Sequence, residues 1–138
     1  MSPATALPAP APVKLPETEE FWAATAQGKL LLRRCDDCGT VIWYPRPYCP
    51  ACASLSTSWF EASGRGSVYT YTVVHRSVVE GYREAVPYVL AYVELDEGPR
   101  VMTNIVDCPP EEVAVGMAVR VVFEDTGDGS ALYRFRRA

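Results

Sequence analysis

Four of the five cysteines in this 138-residue chain stand in two pairs of the same spacing, Cys35/Cys38 and Cys49/Cys52. Each pair sets two thiols at one tight turn. Two such turns facing each other bring four sulfurs to the corners of a tetrahedron, the geometry that Zn²⁺ takes in structural sites. Protein fills all four positions, so no position is left for a catalytic water. The pattern therefore predicts one structural Zn²⁺ per chain, held by Cys35, Cys38, Cys49 and Cys52. Tetrahedral sulfur also accepts iron, and zinc is favoured on availability. Two disulfides are another use of four thiols. The chain opens without a basic start and a long apolar core, so it reads as a cytoplasmic protein, in which thiols stay reduced. A thioredoxin-like redox motif would need only one pair, opening a helix after a strand.

The flanks fit a metal knuckle. Gly39 follows the first pair, where the chain must turn sharply and aim N–H groups at sulfur. Ala53 holds the corresponding place after the second pair, and a left-handed backbone there costs Ala about 1 kcal/mol. Residues 30–32 and 41–44 read as short strands meeting at the first knuckle, with Pro45 and Pro47 turning the chain towards Cys49. Arg33, Arg34 and Arg46 are placed either to offset thiolate charge or to form a solvated rim.

Little else in the chain points to catalysis. His75 is the single histidine, at the end of a predicted strand, and Cys108 precedes two prolines without a second histidine to activate it. No phosphate loop, dinucleotide fingerprint or serine-nucleophile motif occurs. The chain is predicted not to be an enzyme by itself.

The elements that must position the cysteines follow in order. Residues 1–14 are Pro/Ala-rich and read as a disordered or polyproline-like arm. Residues 15–28 form a short helix: Pro16 suits the first turn, Glu17, Glu19 and Glu20 suit the positive end of the dipole, and Gly28 stops it. Phe21, Trp22, Thr25 and Ala26 make its apolar stripe. Residues 29–62 are the ribbon, followed by Gly64-Arg65-Gly66 as a flexible joint. Residues 63–138 show five strands, at about 66–76, 86–95, 100–106, 117–124 and 131–136, with a helical turn at 109–113 between the third and fourth. That order matches an OB-fold barrel, and closure removes the exposed edges of an open sheet. The expected fold is mainly β: helix, rubredoxin-like ribbon, five-stranded barrel. All apolar runs are too short to span a bilayer.

Charge argues against one common use of these modules. Zinc ribbons and OB barrels both bind nucleic acid, and strand tyrosines could stack bases, so a nucleic-acid-binding protein is the alternative function. Net charge is −4 overall. Residues 29–76 carry six basic and three acidic side chains, whereas residues 77–132 carry three basic and eleven acidic. Affinity for a phosphate backbone is mostly electrostatic, so the barrel would repel it.

The stretches FWAATAQGKLLLRRCDDCG, YPRPYCPAC, SGRGSVYTYTVVHR, PYVLAYVELDEGPRVMTNIVD, VGMAVRVVFE and the terminal FRRA together resemble the zinc-ribbon/OB-fold proteins associated with acyl-CoA enzymes, long catalogued as a domain of unknown function. The resemblance runs over residues 15–138. It implies a non-catalytic accessory or scaffold subunit working with a thiolase-fold enzyme (a thiolase, acyltransferase or thiolase-like aldolase), helping assembly and the handling of acyl-CoA. A CoA thioester carries phosphates that favour arginine, which makes Arg65, Arg76 and Arg83 the candidate acyl-CoA contacts. Seven large aromatics lie within 40 residues around the ribbon, and exposed aromatic clusters mark interfaces. Trp43 and Tyr44 are the expected partner-facing anchors.

Overall fold

The computed structural model describes residues 6–138; the start of the arm, residues 1–5, lies outside the described residues. A 3₁₀ turn at Pro16–Thr18 leads into helix α1, Glu19–Thr25. The ribbon strands are β1 (Leu31–Cys35), β2 (Val41–Ile42) and β3 (Thr57–Glu61), an antiparallel sheet in the order β2-β1-β3. The barrel strands are β4 (Arg65–Val74), β5 (Tyr88–Leu95), β6 (Arg100–Ile105), β7 (Ala118–Asp125) and β8 (Ala131–Arg137), with a 3₁₀ turn at Pro110–Glu112 after β6. They close in the order β4-β5-β6-β8-β7. Ile105 pairs with Phe135 in parallel, and the Thr103 hydroxyl donates to the Tyr133 carbonyl at 3.2 Å, joining β6 to β8. Among the described residues no helix is long and apolar enough to cross a membrane.

The barrel interior follows the period of two expected of strands with one buried face. Val89, Ala91, Val93 and Leu95 of β5 point inward, as do Val101, Thr103 and Ile105 of β6. The alternation fails in β4. A register irregularity between Val68 and Thr70 puts an extra residue opposite β5, so Val68 is buried while Thr70 and Thr72 face out. Bulges bend a strand and sharpen its twist, which a small closed barrel needs.

Ribbon and barrel share one core. Phe21 and Trp22 of α1 are buried against Leu30, Leu32 and Phe135, and Trp43, Tyr44 and Tyr133 pack on the same cluster. The Trp22 indole N–H donates to the Tyr44 hydroxyl at 2.9 Å. At the helix end, Thr25 Oγ1 accepts from the Ala131 amide at 3.0 Å, tying α1 to β8. Burial, then the neighbouring Tyr44, raises the Tyr133 phenol above its ordinary range.

The Gly64-Arg65-Gly66 segment is not a flexible joint. β4 begins at Arg65, and Gly66 pairs with Leu95 on one side and Val119 on the other. A side chain at Gly66 would meet Val93 Cγ1 at 2.8 Å and the Glu94 carbonyl closer still. Gly64 adopts φ +78° with Val121 Cγ1 2.7 Å from the position of a Cβ. These glycines permit close backbone approach at barrel closure, which the sequence pattern alone reads as looseness. Gly66→Ala is expected to lower stability by about 2–3 kcal/mol, the cost of overpacking against rigid backbone. Urea unfolding measures it, and a loss below about 0.5 kcal/mol would mean that β4 and β5 can separate without strain.

Candidate metal centre and the cavities of the barrel

Two knuckles build the centre. After β1 the chain folds back through Asp36 and Asp37, and the Gly39 amide donates to the Cys35 carbonyl at 2.9 Å, with Gly39 at φ +77°. The second knuckle repeats the bond: the Ala53 amide donates to the Cys49 carbonyl at 2.8 Å, and Ala53 itself is left-handed at φ 64°. The alanine therefore occupies the conformation that favours glycine and bears its cost.

The sulfurs of Cys35, Cys38, Cys49 and Cys52 all lie within 4.8 Å of one another. Cys35 and Cys52 Sγ are 3.5 Å apart, and Cys38 and Cys49 Sγ 3.6 Å. A Zn–S bond of about 2.3 Å at tetrahedral angles sets sulfurs about 3.8 Å apart, so the cluster fits the ion. Cys35 and Cys49 are buried, Cys38 and Cys52 exposed. Backbone amides already face the sulfurs, Cys38 N to Cys35 Sγ at 3.5 Å and Ala51 N to Cys49 Sγ at 3.4 Å. The two exposed thiols are shifted in opposite directions. Hydrogen bonding from Thr40 brings Cys38 down to about 6. Cys52, although the Ser54 amide favours its thiolate, is pushed up to about 12 by sharing hydrogen bonds with Cys35 and Cys38. A divalent cation would take all four as thiolates. The centre is a site for one structural zinc.

The arginines near the centre serve the sheet. Arg33 donates to Thr57 Oγ1 at 2.9 Å and lies over the Trp59 ring, 4.5 Å from its centroid. Arg34 lies 4.3 Å over the Phe60 ring. Arg46 is exposed.

Of the three candidate anion contacts, the structure brings two together. Arg76 and Arg83 line one cavity of about 380 Å³ with His75, on the loop between β4 and β5. Arg65 sits at the opposite end of β4, across from Arg120. The contribution of His75 to that cavity was not expected; its place next to Arg76 was the available signal. Trp43 and Tyr44 are placed inside the aromatic cluster, 5.5 and 5.8 Å from Phe21 between ring centroids. Each is only partly exposed, while the large apolar side chains that the ribbon exposes are Tyr48 and Leu55. Cys108 is half-buried, with Arg137 Nη2 at 3.5 Å from its sulfur.

A closed four-sulfur ribbon sharing a core with a five-stranded barrel defines the class: a zinc-ribbon/OB-fold protein. Residues 22–57 match the ChsH2 rubredoxin-like zinc ribbon domain, and residues 59–124 the ChsH2 C-terminal OB-fold domain. The chain belongs to the DUF35 family. It is 44% identical over 108 residues to a DUF35 domain-containing scaffold protein of Methanocaldococcus jannaschii, covering 75% of this chain and 76% of that protein. A probable enoyl-CoA hydratase alpha subunit of Thermomonospora curvata is 41% identical over 100 residues, 72% of this chain but 31% of that longer protein. A solved chain described as Ltp2-ChsH2(DUF35) aldolase superposes with a TM-score of 0.82 at 34% identity, over 92% of this chain and 98% of that one.

Proposed function

We propose that this chain is a non-catalytic accessory subunit of an acyl-CoA-processing complex whose reacting groups lie on a thiolase-fold enzyme, a thiolase, acyltransferase or aldolase. The observation that carries this reading is the closed metal centre: its four ligand positions are all cysteine sulfur, so the metal acts on the fold and offers no site to a substrate. Support comes from the relatives, which are named as a scaffold protein, a hydratase alpha subunit and an aldolase chain.

Acyl-CoA handling falls on the cavity between β4 and β5. Arg76 and Arg83 there offer two guanidinium groups to a phosphate, with His75 beside them. Arg65 is too far along β4 to join them and would contact only a different part of the complex. For partner binding, Trp43 and Tyr44 offer only their exposed edges, so the ribbon surface they were expected to anchor centres instead on Tyr48 and Leu55, 46% and 78% exposed.

Co-expression with a neighbouring thiolase-fold enzyme, followed by mass measurement of the purified species, tests the assembly. A stable complex is expected. Tyr48→Ala with Leu55→Asp should weaken it about 30-fold or more, the effect of losing one interface hot spot, without loss of zinc. A lone monomer beside a fully active separate enzyme would refute the subunit reading. A complex indifferent to the Tyr48 and Leu55 changes would refute the surface only.

A further inference from the structure

Arg134 is the one charged residue of β8 that the fold buries, at 2% exposure. Its guanidinium reaches two acceptors. Nη1 pairs with the Glu124 carboxylate, and Nη2 donates to the backbone carbonyl of Pro8 in the N-terminal arm. A buried guanidinium is tolerated when its donors are met, and here a segment without helix or strand meets one of them.

The arm crosses the barrel as an extended strap. The Pro8 ring lies against Gly81, where a Cβ would stand 3.1 Å from Pro8 Cγ, so the absence of a side chain there makes room for the ring. Further along, Lys14 Nζ pairs with Asp128 at 3.4 Å. Towards the other end, Ala6 and Leu7 wall a cavity of about 460 Å³ whose opposite side is apolar, with Pro87, Tyr88, Val89 and Ile105, and which also reaches Glu124. Among the described residues no backbone–backbone hydrogen bond joins residues 6–14 to the barrel. The arm is thus held by one donated hydrogen bond, one ion pair and apolar contact. A proline-rich strand suits such a seat: it presents carbonyls outward, lacks amide hydrogens at proline, and loses little entropy when it binds.

We propose that this groove, with Arg134 as its carbonyl-binding anchor and Gly81 as its proline seat, is a docking site for an extended proline-rich segment of a partner polypeptide, and that residues 6–14 occupy it as a tethered competitor. Tethering gives the arm a local concentration in the millimolar range, so a partner segment must bind well or arrive tethered itself. Gly81 belongs to the same β4–β5 loop as Arg76 and Arg83, so exchange of the arm changes what that loop packs against. The inference does not depend on the acyl-CoA reading.

The test uses the zinc-loaded full-length chain and a fluorescein-labelled peptide of the sequence 6–14, ALPAPAPVK, read by anisotropy. Leu7→Asp with Lys14→Glu in the chain should release its own arm, since one change sets a charge against the apolar wall and the other faces Asp128 with a like charge. The labelled peptide is expected to bind that variant about tenfold or more tightly than the wild-type chain, because the tethered competitor is gone. A peptide carrying Leu7→Asp should not bind. Equal binding to both chains, or none to either at millimolar peptide, would overturn the proposal. A wild-type dimer that dissociates when the peptide is added would also overturn it, by assigning the groove to the arm of a second copy. Unchanged zinc content and circular dichroism in the variant exclude a folding defect as the cause.

Discussion

Cys49→Ser is expected to abolish metal binding and to unfold the ribbon while leaving the barrel strands in place. Cys49 is fully buried, and its sulfur lies 3.6 Å from that of Cys38. Serine offers a weaker, harder ligand to an ion that prefers sulfur. The consequence is large because the ribbon tip has almost no interior of its own: Cys35, Ile42 and Cys49 make up its buried cluster. Structural zinc sites supply about 10–16 kcal/mol of apparent binding energy in small domains, and so small a cluster cannot replace it. The barrel should survive, since its inward residues from β4 to β8 pack on one another in the larger core, which does not include the ribbon-tip cluster. Elemental analysis should give close to one zinc per wild-type chain and almost none for Cys49→Ser. Limited proteolysis should cut the variant between β1 and β3. Cys108→Ser is the control, because Cys108 lies on the loop after β6 and is not among the clustered sulfurs; its zinc content should match wild type. A Cys49→Ser chain with a protease-resistant ribbon would show that packing, not metal, holds the knuckles.

The metal centre was legible because its chemistry is local. Two CxxC turns constrain their own sulfurs, and the tetrahedral requirement does the rest. The helix and the barrel order were legible for a similar reason: Gly28, Gly98 and the apolar alternation of β5 act within one element or one turn. The parts that were not legible depend on contacts between distant elements. β3 carries no alternation, and Thr57–Glu61 becomes a strand because β1 offers it a register, Leu31 to Glu61 through Cys35 to Thr57. Arg33 and Arg34 look like counter-charges to thiolates until that same register sets Trp59 and Phe60 beneath them. Nothing in the sequence marks Arg134, yet it is buried, paired with Glu124 and donating to the Pro8 carbonyl of the arm.

The aromatic residues show the same division. Their excess around the ribbon points to a surface when only the sequence is read; most of it packs on the core that the ribbon shares with the barrel. An aromatic-rich segment looks alike in sequence whether its partner is another chain or another part of its own. Burial decides between them, and the helix that provides it lies before the ribbon while Tyr133 lies far after it. Tyr48 stands among the seven aromatics around the ribbon, whereas nothing in the sequence marks Leu55; both are large apolar side chains that the ribbon leaves exposed.

Phe21→Ala is expected to cost about 3–5 kcal/mol, the range for removing a buried phenylalanine ring. Phe21 has no exposed surface. Its ring meets the edges or faces of four others: Trp22 at 4.9 Å, Trp43 at 5.5 Å, Tyr44 at 5.8 Å and Tyr133 at 6.0 Å between centroids. These belong to the helix, the segment after β2, and β8, so one side chain fastens three parts of the chain. Near-perpendicular ring pairs add about 0.5–1.5 kcal/mol each beyond the area they bury. The cavity left by alanine cannot collapse easily, because the Trp22–Tyr44 hydrogen bond and the Tyr133 strand hold its walls apart. Phe21→Leu keeps most of the volume and should cost about 1–1.5 kcal/mol. Guanidinium unfolding followed by tryptophan fluorescence reads the loss, since Trp22 and Trp43 both touch the ring. Zinc content should not change in either variant, because the four sulfurs take no part in the cluster. The expected signature of Phe21→Ala is therefore a metal-loaded ribbon that has come loose from its barrel, with the two parts unfolding in separate steps. A single transition with a loss under about 1 kcal/mol would mean that the ring fills space without coupling the parts.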